Sequence, residues 1–293
     1  MVIIKMKGGF GNQLFQYAFG LSFKNTISED VYFDISYFEK APQYLVSFNK
    51  LNVRYNVASK QQLKQICIFK HNQAPHSFSH RVFVAAETLL NRKYFFTRQC
   101  GHINLDSLRK YNYLDGYWQS YKFFDNLKSQ LRQEFLPKEG LSENAILDIE
   151  SVKNKNSVCV GLRLGDYSKE SKYYIPTKSY YKKAIEYLLE KVDNPVFIVF
   201  SDEIEKAKVF FDFLGDFPNC QFIFRTSSLH NYEELWVMTA CKHAIIPNST
   251  FHWWAAWLKD DPNSIIVAPP RWFNKDDNID LIPQSWIRIE IGD

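Results

Sequence analysis

The chain has 293 residues, 46% of them hydrophobic and 23% charged, which is typical of a soluble globular protein of about two domains. Its net charge of +4 is too small to indicate nucleic-acid binding, and the sequence lacks the run of about 18 apolar residues that spans a bilayer. The five scattered cysteines lack CxxC spacing and argue against a disulfide framework or a zinc site, so we expect a cytoplasmic protein, compatible at most with peripheral attachment at the inner face of an anionic membrane.

The N-terminal half opens with a predicted strand, a glycine turn and a helix. An apolar run at residues 2–6 precedes the glycine-rich residues 8–13, and apolar residues then recur at helical spacing. The next predicted strand, residues 31–34, ends in Asp34. This pattern partly matches a dinucleotide-binding GxGxxG turn, but Leu14 stands where close helix–sheet packing requires the third glycine. Nicotinamide or flavin binding therefore stays an alternative, beside a plain strand–helix turn.

The middle of the chain gives a weaker pattern. Residues 40–109 mix basic and aromatic segments, for which we expect helices with long connections, and the pattern of residues 113–121 predicts a strand that ends in a polar loop. Two polar stretches follow, at residues 137–144 and 153–156, and they mark the domain junction. The expected domains are residues 1–145 and 155–293.

The second half alternates regularly between strands and helices. Apolar runs in which apolar and polar residues do not alternate predict strands buried on both faces. The segments between these runs have helical periodicity. The predicted strands are residues 157–162, 196–200, 221–224, 244–246 and 265–268, and the predicted helices are residues 179–192, 204–214, 232–241 and 250–258. The fold class is therefore α/β, with two Rossmann-like parallel-sheet domains that face each other across a cleft lined by the carboxyl ends of their strands.

Polar side chains follow two predicted strands of the second half. Arg163 ends the first strand, and a guanidinium at the end of an apolar run is costly unless it meets a fixed anion. One interpretation is a bidentate clamp on a phosphate, and the alternative is an ion pair between Arg163 and Asp166 that closes the loop. Ser201 and Asp202 end the next strand, where they suit a ribose or a base, although Ser-Asp is also common at helix N-termini.

The segment at residues 247–259 is the most informative one. Asn248, Ser249 and Thr250 follow an apolar run and precede a helix that carries three tryptophans in five positions. Such a junction offers backbone N–H groups, two hydroxyls and the positive end of a helix dipole, which together suit a phosphate. The alternative is a capped helix whose tryptophans fill the core.

Five motifs occur in order along the chain: Gly8-Gly9-Phe10-Gly11-Asn12-Gln13-Leu14-Phe15-Gln16-Tyr17, Gly116-Tyr117-Trp118-Gln119-Ser120, Arg163-Leu164-Gly165-Asp166-Tyr167, Phe200-Ser201-Asp202 and Asn248-Ser249-Thr250-Phe251-His252-Trp253-Trp254-Ala255-Ala256-Trp257. Taken together, they resemble the α-1,2-fucosyltransferases of glycosyltransferase family 11, in the same order from residue 8 to residues 269–273. The resemblance implies a GT-B-type fold, GDP-β-L-fucose as donor, inversion at the anomeric carbon, and no metal ion or other cofactor. It also implies a terminal β-galactoside acceptor, modified on its 2-hydroxyl, and a place in surface polysaccharide or O-antigen synthesis.

The resemblance assigns roles to particular residues. It implies that Arg163 binds the donor pyrophosphate. The chemistry of the transfer suggests a general base for the acceptor proton, with Asp166 as the first candidate and Glu170 as the second. The alternatives are that either residue only orients Arg163, or that no base is needed because C–O cleavage runs well ahead of attack. The other expected donor-binding residues are Ser201, Asp202, Asn248, Ser249 and Thr250. The expected acceptor-side residues are Gly11, Asn12, Gln13, Trp118 and Gln119.

The chain departs from the family's usual His-x-Arg-Arg-Gly-Asp-Tyr motif at two positions, where it has Gly161 and Leu164. The loss of one imidazole and one positive charge is expected to weaken donor binding or to reshape the acceptor side. A non-catalytic protein that binds a nucleotide sugar or a glycan is therefore the alternative function.

Overall fold

The computed structural model describes residues 1–40, 42–44, 46–69, 78–98, 101–164, 175–226, 228–273 and 280–290. The chain divides into two compact units, Met1–Lys138 (unit 1) and Glu139–Asp293 (unit 2). Each unit has a parallel sheet of its own. No helix within the described ranges combines the length and the apolar character needed to cross a bilayer.

Unit 1 is built on a parallel sheet whose N-terminal strand lies in the centre. Its strands are β1 (Val2–Lys5), β2 (Val31–Asp34), β3 (Asn56–Val57), β4 (Tyr94–Phe96) and β5 (Tyr113–Asp115), in the order β3-β2-β1-β5-β4. Its α-helices are α1 (Phe10–Thr26), α2 (Val46–Asn49), α3 (Lys60–Ile66), α4 (Phe78–Leu90), α5 (Leu105–Leu108) and α6 (Lys128–Glu134). In the segment of residues 113–121, the strand comprises Tyr113–Asp115, and the chain leaves the sheet after Asp115.

Helix α1 packs closely on the sheet of unit 1. A Cβ atom at Gly20 would lie 2.5 Å from Cζ of Phe33, so a glycine is required where the helix crosses β2. The Phe19 ring stacks on Trp118 with 4.0 Å between ring centroids. Trp118 itself adopts a left-handed φ of 55° and is 1% exposed. The aromatic side chains of this region thus fill the core of unit 1.

Unit 2 contains the predicted alternation of strands and helices. Its strands are β6 (Ser157–Leu162), β7 (Val196–Ser201), β8 (Gln221–Phe224), β9 (His243–Ile245), β10 (Ile266–Ala268) and β11 (Ile287–Arg288), in the order β11-β10-β9-β6-β7-β8 with parallel pairing throughout. Its α-helices are α7 (Glu143–Lys153), α8 (Lys178–Lys191), α9 (Ile204–Phe210), α10 (Asn231–Ala240) and α11 (Thr250–Trp257). The five strands predicted here are confirmed within one residue, and β11 is additional.

Helix α7 belongs to unit 2, although the predicted domain boundaries placed most of it in the junction. It packs against α10. The backbone N–H of Ser142, its N-cap residue, donates to the carboxylate of Glu233 at 3.0 Å, and Asp148 forms an ion pair with Arg225. These contacts explain why a polar stretch of sequence forms an ordered part of the fold.

A buried lysine joins the ends of α10 and α11. Lys259 follows α11 and is 5% exposed. Its Nζ donates to the carbonyls of Met238 at 2.8 Å, Thr239 at 3.2 Å and Cys241, which lie at the C-terminal end of α10. Carbonyls at a helix C-terminus lack intrahelical partners, so the ammonium group caps α10.

Candidate active site

Arg163 and Asp202 lie side by side at the carboxyl edge of the unit 2 sheet. Leu162 of β6 pairs with Ser201 of β7, so the residues that follow them are neighbours. Nε of Arg163 is 3.9 Å from Oδ2 of Asp202, and the backbone N–H of Leu164 donates to Oδ1 of Asp202 at 3.1 Å. Both side chains are about one third exposed, at 31% and 32%. A charged pair is therefore open to solvent where parallel sheets bind ligands.

The other residues predicted for this edge have different outcomes. The Ser201 hydroxyl accepts a hydrogen bond from the backbone N–H of Glu203 at 3.2 Å, directly before α9. The predicted general-base candidates Asp166 and Glu170 lie outside the described residues. The alternative ion pair between Arg163 and Asp166 lies outside them as well, so Asp202 is the acidic neighbour of Arg163 that the structure describes.

The N-terminus of α11 is buried within unit 2. Asn248, Ser249 and Thr250 are 4%, 3% and 7% exposed, and Nδ2 of Asn248 donates to the carbonyl of Trp272 at 3.2 Å. Ser249 is the N-cap residue, but its side chain makes no capping hydrogen bond. The tryptophans of α11 are buried, and Nε1 of Trp253 donates to the carbonyl of Leu281 at 2.6 Å. The tryptophans therefore fill the core of unit 2, and the donor-binding role of Asn248, Ser249 and Thr250 stays a prediction.

His252 is a feature of this site that sequence reasoning left without a role. Its ring occupies the space beside Gly161, where an added Cβ atom would lie 2.2 Å from Cδ2 and 2.7 Å from Nε2 of the imidazole. The ring is hydrogen-bonded to the backbone of Phe200, at the end of β7, and its Nδ1 has no hydrogen-bond partner among the described residues. His252 thus bridges the ends of β6 and β7 from helix α11.

The charge state of His252 follows from its surroundings. Burial lowers the pKa of His252 to about 4, the nearby Arg163 guanidinium contributes to this decrease, and Asp202 opposes it. The imidazole is therefore neutral near pH 7. The sequence carried one signal for this residue: a glycine stands at the motif's histidine position, and a histidine occurs 91 positions later in another motif. Only the fold brings the two together.

Hydrogen bonds within unit 1 hold three of the predicted acceptor-side residues. Gln13 is fully buried, and its Nε2 donates to the carbonyls of Gly8 at 3.0 Å and Tyr44 at 2.7 Å. Nε2 of Gln119 donates to Oδ1 of Asn12 at 2.8 Å. Gly11 is buried in the first turn of α1, and Asn12 is partly exposed. Trp118 is 1% exposed, and its ring stacks on Phe19 in the core of unit 1.

The carboxyl edge of the unit 1 sheet carries buried charges. Lys7 forms an ion pair with Asp115, whose other oxygen accepts from the hydroxyl of Tyr94 at 3.0 Å. Burial would raise the pKa of Asp115, but the ammonium groups of Lys7 and Lys5 outweigh it and hold that pKa well below its usual value. Burial lowers the pKa of Lys5, which Asp115 and Asp34 partly offset. These groups neutralise each other within the protein.

Asp34 and a neighbouring cavity complete this edge. Asp34 is fully buried and accepts from the Tyr113 hydroxyl and from the backbone N–H of Ser36 at 2.9 Å. Binding of a dinucleotide ribose would need the Asp34 carboxylate, which already accepts these hydrogen bonds within the protein. A cavity of about 560 Å³ opens here, with Asp34, Ser36, Ser59 and Lys60 among its lining residues. Its volume suits a small ligand such as a sugar.

Comparison with known proteins identifies the family. The profile described as Glycosyl transferase family 11 matches residues 1–290. An alpha-1,2-colitosyltransferase of Escherichia coli is 29% identical over 99% of both chains, and the O-antigen biosynthesis glycosyltransferase WbnK of the same species is 28% identical over 97% of this chain and 99% of its own. A galactoside 2-alpha-L-fucosyltransferase of Caenorhabditis elegans is 24% identical over 99% of this chain and 79% of its own.

A solved structure supports the fold. A mutant of FUT1 from Arabidopsis thaliana, solved in complex with GDP, superposes with a TM-score of 0.50 at 10% identity, over 91% of this chain and 70% of its own. The two parallel α/β sheets and this likeness confirm the GT-B-type fold class.

Proposed function

The chain belongs to glycosyltransferase family 11, and from this membership we infer that it transfers L-fucose from GDP-β-L-fucose to the 2-hydroxyl of a terminal β-galactoside. The proposed transfer inverts the anomeric carbon and requires no metal ion. The proposed setting is surface polysaccharide or O-antigen synthesis at the cytoplasmic side of the membrane. The name of WbnK supports the setting, and the name of the Caenorhabditis elegans relative supports the fucose donor and the galactoside acceptor.

The observation that carries the proposal is the exposed Arg163 at the carboxyl edge of the unit 2 sheet. In a single displacement the GDP leaves with growing negative charge while the sugar becomes oxocarbenium-like. Arg163 is about one third exposed and is positioned to meet that charge, and Asp202 beside it holds the guanidinium by an ion pair at 3.9 Å. Preorganised positive groups of this kind stabilise a departing anion without reorganisation.

We assign His252 a positioning role in this reaction. Its neutral imidazole bonds to the backbone of Phe200 and fills the space beside Gly161, so it fixes the strand ends from which Arg163 and Asp202 extend. A neutral ring adds no second cation beside the guanidinium. In this chain, helix α11 would therefore supply the imidazole that the family motif carries on the strand.

The acceptor is assigned to unit 1. The cavity of about 560 Å³ beside Asp34 has room for a sugar, and Ser36, Ser59 and Lys60 line it with hydrogen-bonding groups. Asn12 is the partly exposed member of the N-terminal motif and is held by Gln119. The general base remains assigned to Asp166, with Glu170 as the second candidate.

A second donor is favoured by one specific observation, the likeness to an alpha-1,2-colitosyltransferase over nearly the whole chain. Colitose is L-fucose that lacks the 3-hydroxyl. A site that hydrogen-bonds this hydroxyl rejects the deoxy sugar by large factors, because the buried polar partner is left unpaired. The ratio of kcat/KM for GDP-fucose and GDP-colitose therefore decides which donor the enzyme uses.

The test of the proposed function is GDP release from GDP-fucose with lactose, measured with and without EDTA, followed by NMR of the product linkage. We expect an α-1,2 product and a rate that EDTA leaves unchanged. GDP release no faster than hydrolysis with every galactoside and both donors would favour a non-catalytic binding protein. Thermal stabilisation by NAD(P) and not by GDP would instead indicate an oxidoreductase.

A further inference from the structure

Helix α4 of unit 1 is apolar on the face that points away from the core. Its buried face carries Val84 and Glu87, 6% and 0% exposed. At about 100° per residue, the opposite face carries Phe78, Val82 and Leu89, which are 83%, 46% and 83% exposed. An ordinary surface helix presents polar side chains to solvent, whereas the solvent-facing stripe of α4 is apolar.

The sequence around α4 is strongly basic. Residues 60–98 contain seven lysines and arginines against one acid, a net charge of +6, whereas the whole chain carries +4, so that the remainder carries −2. The one acid, Glu87, points inward and accepts from the backbone N–H of Phe69 at 2.7 Å and from Nδ2 of Asn91 at 2.8 Å. The solvent-exposed charges that the structure describes in this segment are therefore all positive.

Exposed basic side chains flank the apolar stripe. Arg81 lies within α4, about 80° around the helix from the centre of the stripe, and Arg92 and Lys93 follow the C-terminal end of the helix. All three are exposed. Leu90 adds a further apolar side chain, 68% exposed, at that end. An apolar stripe beside basic side chains is the arrangement of helices that lie in the interface of an anionic bilayer.

We propose that α4 is a membrane-docking surface, with Phe78, Val82 and Leu89 inserted between the headgroups of an anionic lipid bilayer and Arg81, Arg92 and Lys93 on lipid phosphates. A second copy of the chain fits this surface less well, because self-association would bring the same positive charges together. The site is independent of the proposed donor and acceptor. It would hold the enzyme peripherally at a membrane.

The test is co-flotation of the full chain with vesicles of phosphatidylcholine alone or mixed with phosphatidylglycerol, at low and high salt. We expect binding to the mixed vesicles, weakened by salt, and little binding to phosphatidylcholine alone. The Phe78→Ser/Leu89→Ser variant should lose at least about tenfold in affinity, since each substitution removes an apolar side chain that the bilayer would bury. Arg81→Gln should lose about fivefold.

A matched control uses exposed apolar side chains of unit 2. Leu147 and Val209 are 63% and 74% exposed, so the Leu147→Ser/Val209→Ser variant changes surface hydrophobicity by a similar amount away from α4. Binding that survives in this control supports the proposal. Equal loss in both double variants, absence of wild-type binding to mixed vesicles, or concentration-dependent dimerisation abolished by Phe78→Ser/Leu89→Ser would each overturn it. Vesicle binding needs no donor or acceptor, so failure of the proposed transfer would leave this result intact.

Discussion

The two units carry charged residues at the same edge of similar sheets, but in opposite environments. In unit 1, Lys5, Lys7 and Asp115 are at most 5% exposed. In unit 2, Arg163 and Asp202 are about one third exposed, and Nε of Arg163 is 3.9 Å from Oδ2 of Asp202. The first set has its charges neutralised inside the protein, and the second set is partly open to solvent.

This difference separates structural charge from functional charge. Ions are buried at a large desolvation cost, which is recovered only when partners and hydrogen bonds satisfy them. Lys7, Asp115 and Tyr94 meet that condition and fix the centre of the unit 1 sheet. The Arg163 side chain is about one third exposed, so an incoming anion can replace the solvent beside it. The comparison predicts different outcomes for mutations in the two units.

The largest expected effect is on the stability of unit 1. Asp115→Asn keeps the shape of the side chain but leaves the buried Lys7 ammonium without its counter-charge, so we expect a loss of about 3–5 kcal/mol in the free energy of unfolding. Urea unfolding measures it. The control is Asp106→Asn, because Asp106 is 72% exposed in a local pair with Arg109, and its expected change is within about 0.5 kcal/mol. Equal changes in both variants would contradict the structural role of the Lys7–Asp115 pair.

The next effect is on the activity of unit 2. Arg163→Ala should reduce kcat/KM by about 10²–10³-fold, or about 3–4 kcal/mol of transition-state stabilisation, with little change in the melting temperature. Arg109→Ala is the matched control, since Arg109 is an exposed arginine of unit 1 in a local ion pair. Donor kinetics and thermal unfolding of both variants check the prediction. Turnover near the normal rate in Arg163→Ala would remove the basis of the proposed mechanism.

Acidification should lower the stability of the two units at different pH values. His252 has a folded pKa of about 4 against an ordinary 6.5, so its contribution is complete above pH 6.5 and is lost as pH falls towards 4, by up to about 3 kcal/mol. The pKa of Asp115 is depressed, so its contribution is present above about pH 4 and is lost only below it. As the pH falls, unit 2 should therefore lose stability before unit 1.

Tryptophan fluorescence can follow this order, because six of the seven tryptophans lie in unit 2 and only Trp118 lies in unit 1. Amide hydrogen exchange resolved by peptide assigns the change to each unit. In the His252→Gln variant, the stability of unit 2 should depend less on pH in the acidic range. Faster exchange in unit 1 than in unit 2 near pH 5 would contradict the assignment.

A smaller effect is expected at the contact between Gly161 and His252. Gly161→Ala places a Cβ atom 2.2 Å from the imidazole and should cost about 1–3 kcal/mol in stability. In a His252→Ala background, Gly161→His should restore kcat/KM, whereas Gly161→Leu should restore only packing. Melting temperatures and donor kinetics of the two double variants are the readouts. Equal recovery of activity in the two would show that the ring only fills space.

The sequence was a good guide where burial sets the pattern. The strands of unit 2 are apolar on both faces, so their apolar runs are visible without alternation, and Arg163 and Asp202 could be placed at the carboxyl ends of two strands. The pairing of these strands in the fold makes the two residues neighbours. Strand β3 is two exposed residues long, and β4 is three residues long, so neither leaves a recognisable pattern. Short strands of this kind are fixed by the tertiary fold.

Two side chains of the site depended on packing that no local pattern reveals. Trp118 lies in the segment predicted to end in a polar loop, and its left-handed backbone turns the ring onto Phe19 in the core. His252 meets Gly161 only because α11 crosses the ends of β6 and β7. Contacts between residues 91 positions apart follow from helix placement, which periodicity does not determine.

The capping ammonium of Lys259 has a practical consequence for chemistry on this protein. Amine-reactive reagents attack neutral, accessible amines, and Lys259 is enclosed by three carbonyls at the junction of α10 and α11. Reductive methylation of the native enzyme should therefore spare this lysine while it labels surface lysines. Slow labelling at Lys259 would report how often the α10–α11 junction opens, and so would measure the mobility of the helix that carries His252.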